Sequence, residues 1–132
     1  MSEKQVLIVE RSLHERQKLI QHLCITDPDL VVDGVGDFPD AVDAIKMLDI
    51  DGGYHAVITD LGIVPLEGIS FIKGVNLRFP DIPVILTTEL QILNKFQQEL
   101  VDCQFFEIHC KPLNLQFFEL TLKIALKQSK KS

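Results

Sequence analysis

The sequence has 132 residues, a formal net charge of -6 and a hydrophobic fraction of 46%. This length suffices for a single domain, 1–132, and a domain of this size buries roughly two-thirds of its unfolded surface. The acidic balance argues against direct nucleic-acid binding, which depends on clustered Lys and Arg, and no run reaches the roughly 18 apolar residues that span a bilayer. Three cysteines without metal-ligand spacing predict a reduced, cytoplasmic protein.

Short apolar runs alternate with amphipathic segments along the chain. The predicted strands are Val6–Val9, Leu30–Val32, His55–Asp60, Pro83–Thr87 and Phe105–Ile108. The predicted helices run from Ser12 to about Cys24, from Asp37 to just before Asp51, from Ile69 to Arg78, from Leu90 to Val101, and from Leu115 to Lys127. Five repeats of strand then helix indicate an α/β protein with a mostly parallel sheet and right-handed crossovers.

Polar side chains able to do chemistry follow four of the five predicted strands. Glu10 and Arg11 follow the first, Asp60 ends the third, Thr87 and Thr88 come at the end of the fourth, and Lys111 follows the fifth. Because the carboxyl ends of parallel strands lie at one edge of a sheet, and ligands bind in the crevice there, these side chains are expected to meet.

Four segments in this order resemble the receiver domain of bacterial two-component response regulators. They are Val6–Arg16, Asp60–Gly68, Pro83–Thr88 and Lys111–Pro112. The resemblance implies a flavodoxin-like (βα)5 fold, a doubly wound parallel sheet with strand order 2-1-3-4-5, and a role in a phosphorelay, not in metabolic catalysis. It also implies a sensor histidine kinase or phosphotransfer protein as donor, a downstream effector protein, and a homodimer that can form through the fourth and fifth helices.

The same resemblance gives roles to individual residues. Asp60 matches the phosphoacceptor, and Lys111 and Thr88 match the residues that bind the phosphoryl group. Thr87 fits the hydroxyl position only if the alignment slips by one residue. Glu10, Asp60 and the backbone carbonyl of Gly62 match ligands of Mg²⁺.

Arg11 is the largest departure from the pattern, since it replaces the second residue of the acidic pair. Glu10, Arg11, Asp60 and Lys111 together carry no net formal charge, so a Mg²⁺ site here is expected to be weak or absent. The Arg11 guanidinium is predicted to replace the metal by pairing with Asp60, which would make removal of Asp60 destabilising. The alternative is that Arg11 points to solvent and leaves a weakened metal site.

Two more departures concern the output side. Ile108 stands where the family usually has an aromatic residue that can rotate, and Pro65 lies one place later than the usual proline. Two functions therefore remain open: a receiver phosphorylated on Asp60, and a pseudo-receiver that binds proteins without being phosphorylated. A small flavodoxin-like enzyme or nucleotide binder is a third reading, which the absence of a glycine-rich phosphate loop disfavours.

Overall fold

The computed structural model describes residues 3–49 and 53–128. In that part of the chain, strands and helices alternate in the order β1 (Lys4–Val9), α1 (Leu13–Thr26), β2 (Leu30–Val35), α2 (Phe38–Asp49), β3 (Ala56–Thr59), α3 (Pro65–Arg78), β4 (Val84–Glu89), α4 (Leu90–Lys95), α5 (Gln97–Leu100), β5 (Glu107–Lys111) and α6 (Leu115–Gln128). The strands form one parallel sheet in the order β2-β1-β3-β4-β5. The predicted fold class and strand order are confirmed.

Two hydrophobic clusters lie on opposite faces of the sheet. Along β1, Leu7 and Val9 belong to one cluster, while Val6 and Ile8 belong to the other. Successive strand residues point to opposite faces, so a strand covered by helices on both sides must be apolar at every position. This burial on both faces explains why runs such as Val6–Val9 are apolar at every position.

Several element boundaries differ from those predicted. α3 begins at Pro65, four residues earlier than predicted, because proline is tolerated in the first turn of a helix, where its missing N–H has no partner to lose. The helix predicted over Leu90–Val101 is divided into α4 and α5 at Phe96, whose backbone leaves the helical region with φ -112 and ψ 24. β5 lies later than predicted and includes Lys111. Of the predicted turn at 51–53, residues 51 and 52 lie outside the described residues.

The first two helices begin as the sequence predicts. The Ser12 hydroxyl caps α1 by accepting a hydrogen bond from the Glu15 N–H at 3.2 Å. Asp37 acts similarly before α2, where its carboxylate accepts from the Asp40 N–H at 2.8 Å. Such side chains satisfy N–H groups that have no partner inside the helix, and they fix where the helix starts.

Two glycines in α3 are expected to respond oppositely to alanine. A Cβ on Gly68 would lie 2.5 Å from the Leu61 backbone, whereas a Cβ on Gly74 would meet nothing within 4 Å. Gly68→Ala is expected to lower the free energy of unfolding by about 2 kcal/mol through overpacking. Gly74→Ala is expected to raise it by about 0.5 to 1 kcal/mol, because alanine has less conformational freedom to lose. Urea unfolding of both variants measures this, and equal effects would contradict the close approach of α3 to Leu61.

Candidate functional site

The strand ends singled out in the sequence meet at one edge of the sheet. Val9 of β1 is in register with Thr59 of β3, and Thr59 is in register with Leu86 of β4. The residues that follow them, which are Glu10, Asp60 and Thr87, therefore lie level with each other at the edge of the sheet. Glu89 of β4 is in register with Lys111 of β5. A cavity of about 740 Å³ opens here, and its lining includes Glu10, Arg11, Thr87, Glu89 and Lys111.

Asp60 is buried at this edge, with only 4% of its surface exposed. One carboxylate oxygen, Oδ1, accepts a hydrogen bond from the Gly62 N–H at 3.0 Å. Gly62 has a φ of 76, a left-handed conformation that glycine adopts without strain, and this bends the chain back toward Asp60. The other oxygen, Oδ2, accepts from the Arg11 backbone N–H at 3.4 Å and lies 3.8 Å from the Lys111 ammonium nitrogen.

Glu10 lies beside Asp60 and is held by two donors. Its Oε2 accepts from the Ser12 N–H at 2.9 Å, and its Oε1 accepts from the Lys111 ammonium at 2.5 Å. Lys111 thus contacts both acids, and we call Glu10, Asp60 and Lys111 the acid–lysine cluster. Lys111 lies at the same edge of the sheet as Glu10 and Asp60, as the sequence predicts. The peptide bond from Lys111 to Pro112 is cis.

The two acids of the acid–lysine cluster have pKa values shifted in opposite directions. Burial and the neighbouring Glu10 carboxylate raise the pKa of Asp60 to about 6, although Lys111 and the Arg11 N–H oppose the rise. For Glu10, burial raises the pKa, but the hydrogen bonds from Lys111, Ser12 and Asp60 outweigh it and leave the pKa below its usual value.

The predicted pairing of the Arg11 guanidinium with Asp60 is not formed, and this corrects the sequence interpretation. The Arg11 side chain is exposed and makes no ion pair with any described residue; only its backbone N–H reaches Asp60. The cation that contacts both acids is instead the Lys111 ammonium, and Asp60 Oδ2 already accepts the Arg11 backbone N–H. Arg11 is instead among the residues that line the cavity.

The two threonines of β4 are both buried, but their hydroxyls differ. Thr87 lines the cavity, and its hydroxyl donates to the Thr59 carbonyl at 3.4 Å. Thr88 is not among the lining residues, and its hydroxyl makes no hydrogen bond to a described residue. Thr88 stays the predicted phosphoryl-binding hydroxyl, since it is the one not already engaged, while Thr87 is the one level with Asp60.

The residues at this edge do not fit a Mg²⁺ ion. Within 3–49 and 53–128, no group of three His, Cys, Asp or Glu residues is placed to hold a metal. The two acids that the resemblance matches to metal ligands, Glu10 and Asp60, already face the Lys111 ammonium. Mg²⁺ needs carboxylate oxygens that are available to enter its octahedral shell. A divalent ion would have to displace Lys111 and would meet Arg11 beside it.

Millimolar Mg²⁺ is therefore expected to leave the melting temperature unchanged, because a ligand that binds the native state must raise it by mass action. Arg11→Asp is expected to introduce a Mg²⁺-dependent rise, since it restores a second acid beside Glu10. Arg78→Asp, on an exposed turn at the end of α3, is the matched charge control. A clear Mg²⁺ response of the unmodified protein would contradict the conclusion that the site rejects the ion.

Sequence reasoning missed one residue that contacts this edge. Arg16 of α1 donates a hydrogen bond to the backbone carbonyl of Glu10 at 2.7 Å. A charged residue in an amphipathic helix is expected to face solvent, so the pattern of α1 gave no signal of this contact. Two glycines opposite it, Gly34 in β2 and Gly36 just after β2, were the sequence signal that could have indicated the contact.

Apolar side chains are exposed on the side of the molecule that the sequence associates with pairing. Those on α6 are Phe117, Leu120 and Ile124, exposed by 55%, 53% and 42%. Leu90 and Val101 are also exposed, and Ile108 is half-buried against the core. The homodimer through these helices stays a prediction. None of the described helices is long and apolar enough to cross a membrane.

Comparison with known proteins identifies the fold. No family model matches the sequence, and no curated protein matches it. Among solved structures, the receiver domain of a signal transduction histidine kinase from Syntrophus aciditrophicus superimposes with a TM-score of 0.83 at 21% identity, over 98% of this chain and 94% of that one. A response regulator receiver domain from Clostridium thermocellum gives 0.81 at 18% identity, over 96% and 97%.

A structure described as an adenylate cyclase from Rhodopirellula baltica gives a TM-score of 0.81 at 20% identity, over 96% of this chain and 90% of that one. Proteins with different outputs thus share this architecture, and the likeness alone assigns no output. The parallel sheet, its strand order and these superpositions lead to one conclusion: the chain has the receiver fold of two-component response regulators.

Proposed function

We propose that this chain is a signalling domain that accepts a phosphoryl group on Asp60 without a divalent metal ion. The observation that carries the proposal is the pairing of a buried aspartate with Lys111, 3.8 Å away, beside a cavity that Arg11 lines. The Arg11 side chain is exposed and forms no ion pair with a described residue. The donor would be the phosphohistidine of a sensor histidine kinase or of a phosphotransfer protein.

In the proposed step, a carboxylate oxygen of Asp60 attacks the phosphorus atom of the donor. A bond forms between that oxygen and phosphorus, and the bond from phosphorus to the donor imidazole nitrogen breaks. The nitrogen keeps the electron pair, and the donor ring, which carries a proton on its other nitrogen, leaves as neutral imidazole without needing a co-reactant. Phosphoryl transfer depends mainly on positioning and on neutralising charge on the equatorial oxygens.

Two cations are available to neutralise that charge. Lys111 is already within 3.8 Å of Asp60 Oδ2, and its release from one acid would let it contact a phosphoryl oxygen. Arg11 is the second, since its guanidinium forms no ion pair within residues 3–49 and 53–128 and can bind two phosphoryl oxygens at once. In this proposal Arg11 takes over the role of the metal on the incoming group, and it does so without pairing with Asp60 beforehand.

The output is proposed to be binding of a downstream effector protein, not catalysis on a small molecule.

Glu89 bears on the kind of phosphoryl donor. It lines the same cavity as Lys111 and would repel an unaccompanied phosphate ion. This favours a donor that brings the phosphoryl group on a protein, because contacts elsewhere on its surface can offset the repulsion.

The test is incubation with a small acyl phosphate, with either Mg²⁺ or EDTA, followed by intact-mass measurement. One phosphoryl group is expected in both conditions, and none on Asp60→Asn. Arg11→Ala is expected to slow the EDTA reaction at least tenfold, since an arginine on the transferred group contributes about 10³-fold or more elsewhere. Arg78→Ala is the matched control. Modification only with Mg²⁺ would overturn the metal-free mechanism.

The second candidate is a pseudo-receiver that binds a partner without phosphorylation. The burial of Asp60, 4% exposed, and the engagement of both its oxygens favour it, because a donor must first displace these contacts. Absence of any modification, with a protein donor as well as with the acyl phosphate, would select this function over the first.

A further inference from the structure

Arg16 lies on α1 but directs its side chain across the sheet edge. Its guanidinium Nη1 donates to the Glu10 carbonyl at 2.7 Å, and no carboxylate of a described residue forms an ion pair with it. Holding a half-buried arginine in one geometry costs side-chain entropy, so some contact must offset that cost. Here the contact is the hydrogen bond from the Arg16 guanidinium to the Glu10 carbonyl, just after β1.

Two glycines of β2 and the turn after it provide the space for Arg16. A Cβ on Gly34 would lie 2.6 Å from Ile20 Cδ1 and 3.1 Å from Arg16 Cδ, and a Cβ on Gly36 would lie 2.9 Å from Arg16 Nη1. Side chains at either position would occupy the path of the arginine. Neither glycine is among those with positive φ in the described chain, so the backbone itself does not require glycine there.

The carbonyl held by Arg16 belongs to the turn that supplies two donors to the acid–lysine cluster. The Arg11 N–H in this turn faces Asp60 Oδ2, and the Ser12 N–H faces Glu10 Oε2. We propose that Arg16 is a positioning residue, seated over Gly34 and Gly36, that fixes the Glu10–Ser12 turn and so aims both N–H groups at the acids. Its effect on phosphorylation rests on the function proposed above, whereas its effect on the turn does not.

Fixing this turn also sets where the Arg11 guanidinium projects. Arg11 lies between Glu10, held by Arg16, and Ser12, held as the cap of α1. The Arg11 side chain forms no ion pair in the part of the chain that the structure describes, but its backbone is anchored on both sides. Arg16 therefore determines the position from which Arg11 reaches the cavity, without itself touching the group that would be transferred.

Two variants test this by different routes. Arg16→Met keeps the apolar stem over Gly34 and removes the guanidinium, while Gly36→Ala keeps the guanidinium and displaces it. In both, amide hydrogen exchange at Arg11 and Ser12 is expected to accelerate about tenfold, the factor that loss of one ordinary hydrogen bond produces. Amides in α6 are expected to be unchanged. Arg16→Lys, which can still donate to the carbonyl, is expected to restore part of the protection.

The double variant Arg16→Met with Gly36→Ala is expected to behave like Arg16→Met alone, because both changes remove the same contact. Arg78→Met controls for loss of an exposed charge. Additive effects of the two changes, or unchanged exchange at Arg11 and Ser12, would overturn the proposal whether or not Asp60 is phosphorylated. If the unmodified protein accepts no phosphoryl group, the proposed function is wrong, but the hydrogen-exchange data still test whether Arg16 positions the Glu10–Ser12 turn.

Discussion

Lys111→Met is expected to destabilise the protein by about 3 kcal/mol at pH 8, because it leaves two buried carboxylates without their shared cation. The Lys111 ammonium lies 2.5 Å from Glu10 and 3.8 Å from Asp60, and its side chain is only 24% exposed. Methionine retains most of the side-chain volume, so the loss reports charge and not packing. Urea unfolding measures it.

The destabilisation by Lys111→Met is expected to be smaller at pH 5. Without the ammonium, a proton can bind between Glu10 and Asp60 and relieve their repulsion, and acid favours that proton. Lys123→Met is the matched control: its ammonium pairs with Glu119 at 3.1 Å, but its side chain is 57% exposed. Such surface pairs contribute about 0.5 kcal/mol. Equal losses for the two variants would mean that Lys111 does not hold the acids together.

Asp60→Asn is expected to stabilise the protein at pH 8 by up to about 3 kcal/mol, since one pKa unit corresponds to about 1.4 kcal/mol. The pKa of Asp60 is raised from 3.8 to about 6, chiefly by burial and then by Glu10, so folding disfavours its charged form. Asparagine stays neutral at every pH, so the cost of burying a charge at this position is absent from the variant.

The sign of this effect depends on pH. A carboxyl whose pKa is raised on folding contributes its stability fully below its unfolded pKa, and that contribution is lost as pH rises through the folded pKa. Asp60→Asn is therefore expected to match the unmodified protein near pH 4 and to exceed it increasingly from pH 4 to above pH 6. Asp43→Asn, exposed on α2, is expected to show no such divergence. A stability difference that does not change with pH would show that Asp60 is not strained by its charge.

This expectation reverses the one drawn from the sequence, where an Arg11–Asp60 pair made loss of Asp60 destabilising. The reversal follows from which cation reaches the acids. Lys111 arrives from β5, on the far side of β4 from β3, and contacts both Glu10 and Asp60. Arg11 is adjacent in sequence to Glu10, but only its backbone contacts Asp60. Proximity in sequence was therefore a poor guide to the ion pair.

The sequence by itself determined the architecture and the location of the site. Apolar runs such as Val6–Val9 must be covered on both faces, and repeated strand–helix units predict a mostly parallel sheet with right-handed crossovers. The doubly wound strand order followed from the resemblance to receiver domains. Once the sheet is parallel, residues that follow its strands must share an edge, which is why Glu10, Asp60 and Lys111 could be grouped before their positions were known. The caps Ser12 and Asp37 were equally local, since each acts on N–H groups three residues away.

Only the tertiary structure decided how the side chains at that edge divide the contacts among themselves. Arg11 and Lys111 compete for the same two acids, and the outcome depends on distances between strands far apart in sequence. The path of Arg16 to the Glu10 carbonyl likewise depends on space over Gly34 and Gly36, which belong to another strand and the turn after it. Local pattern specifies which face of an element is buried, but a choice between rival partners is made by three-dimensional proximity, which local pattern does not encode.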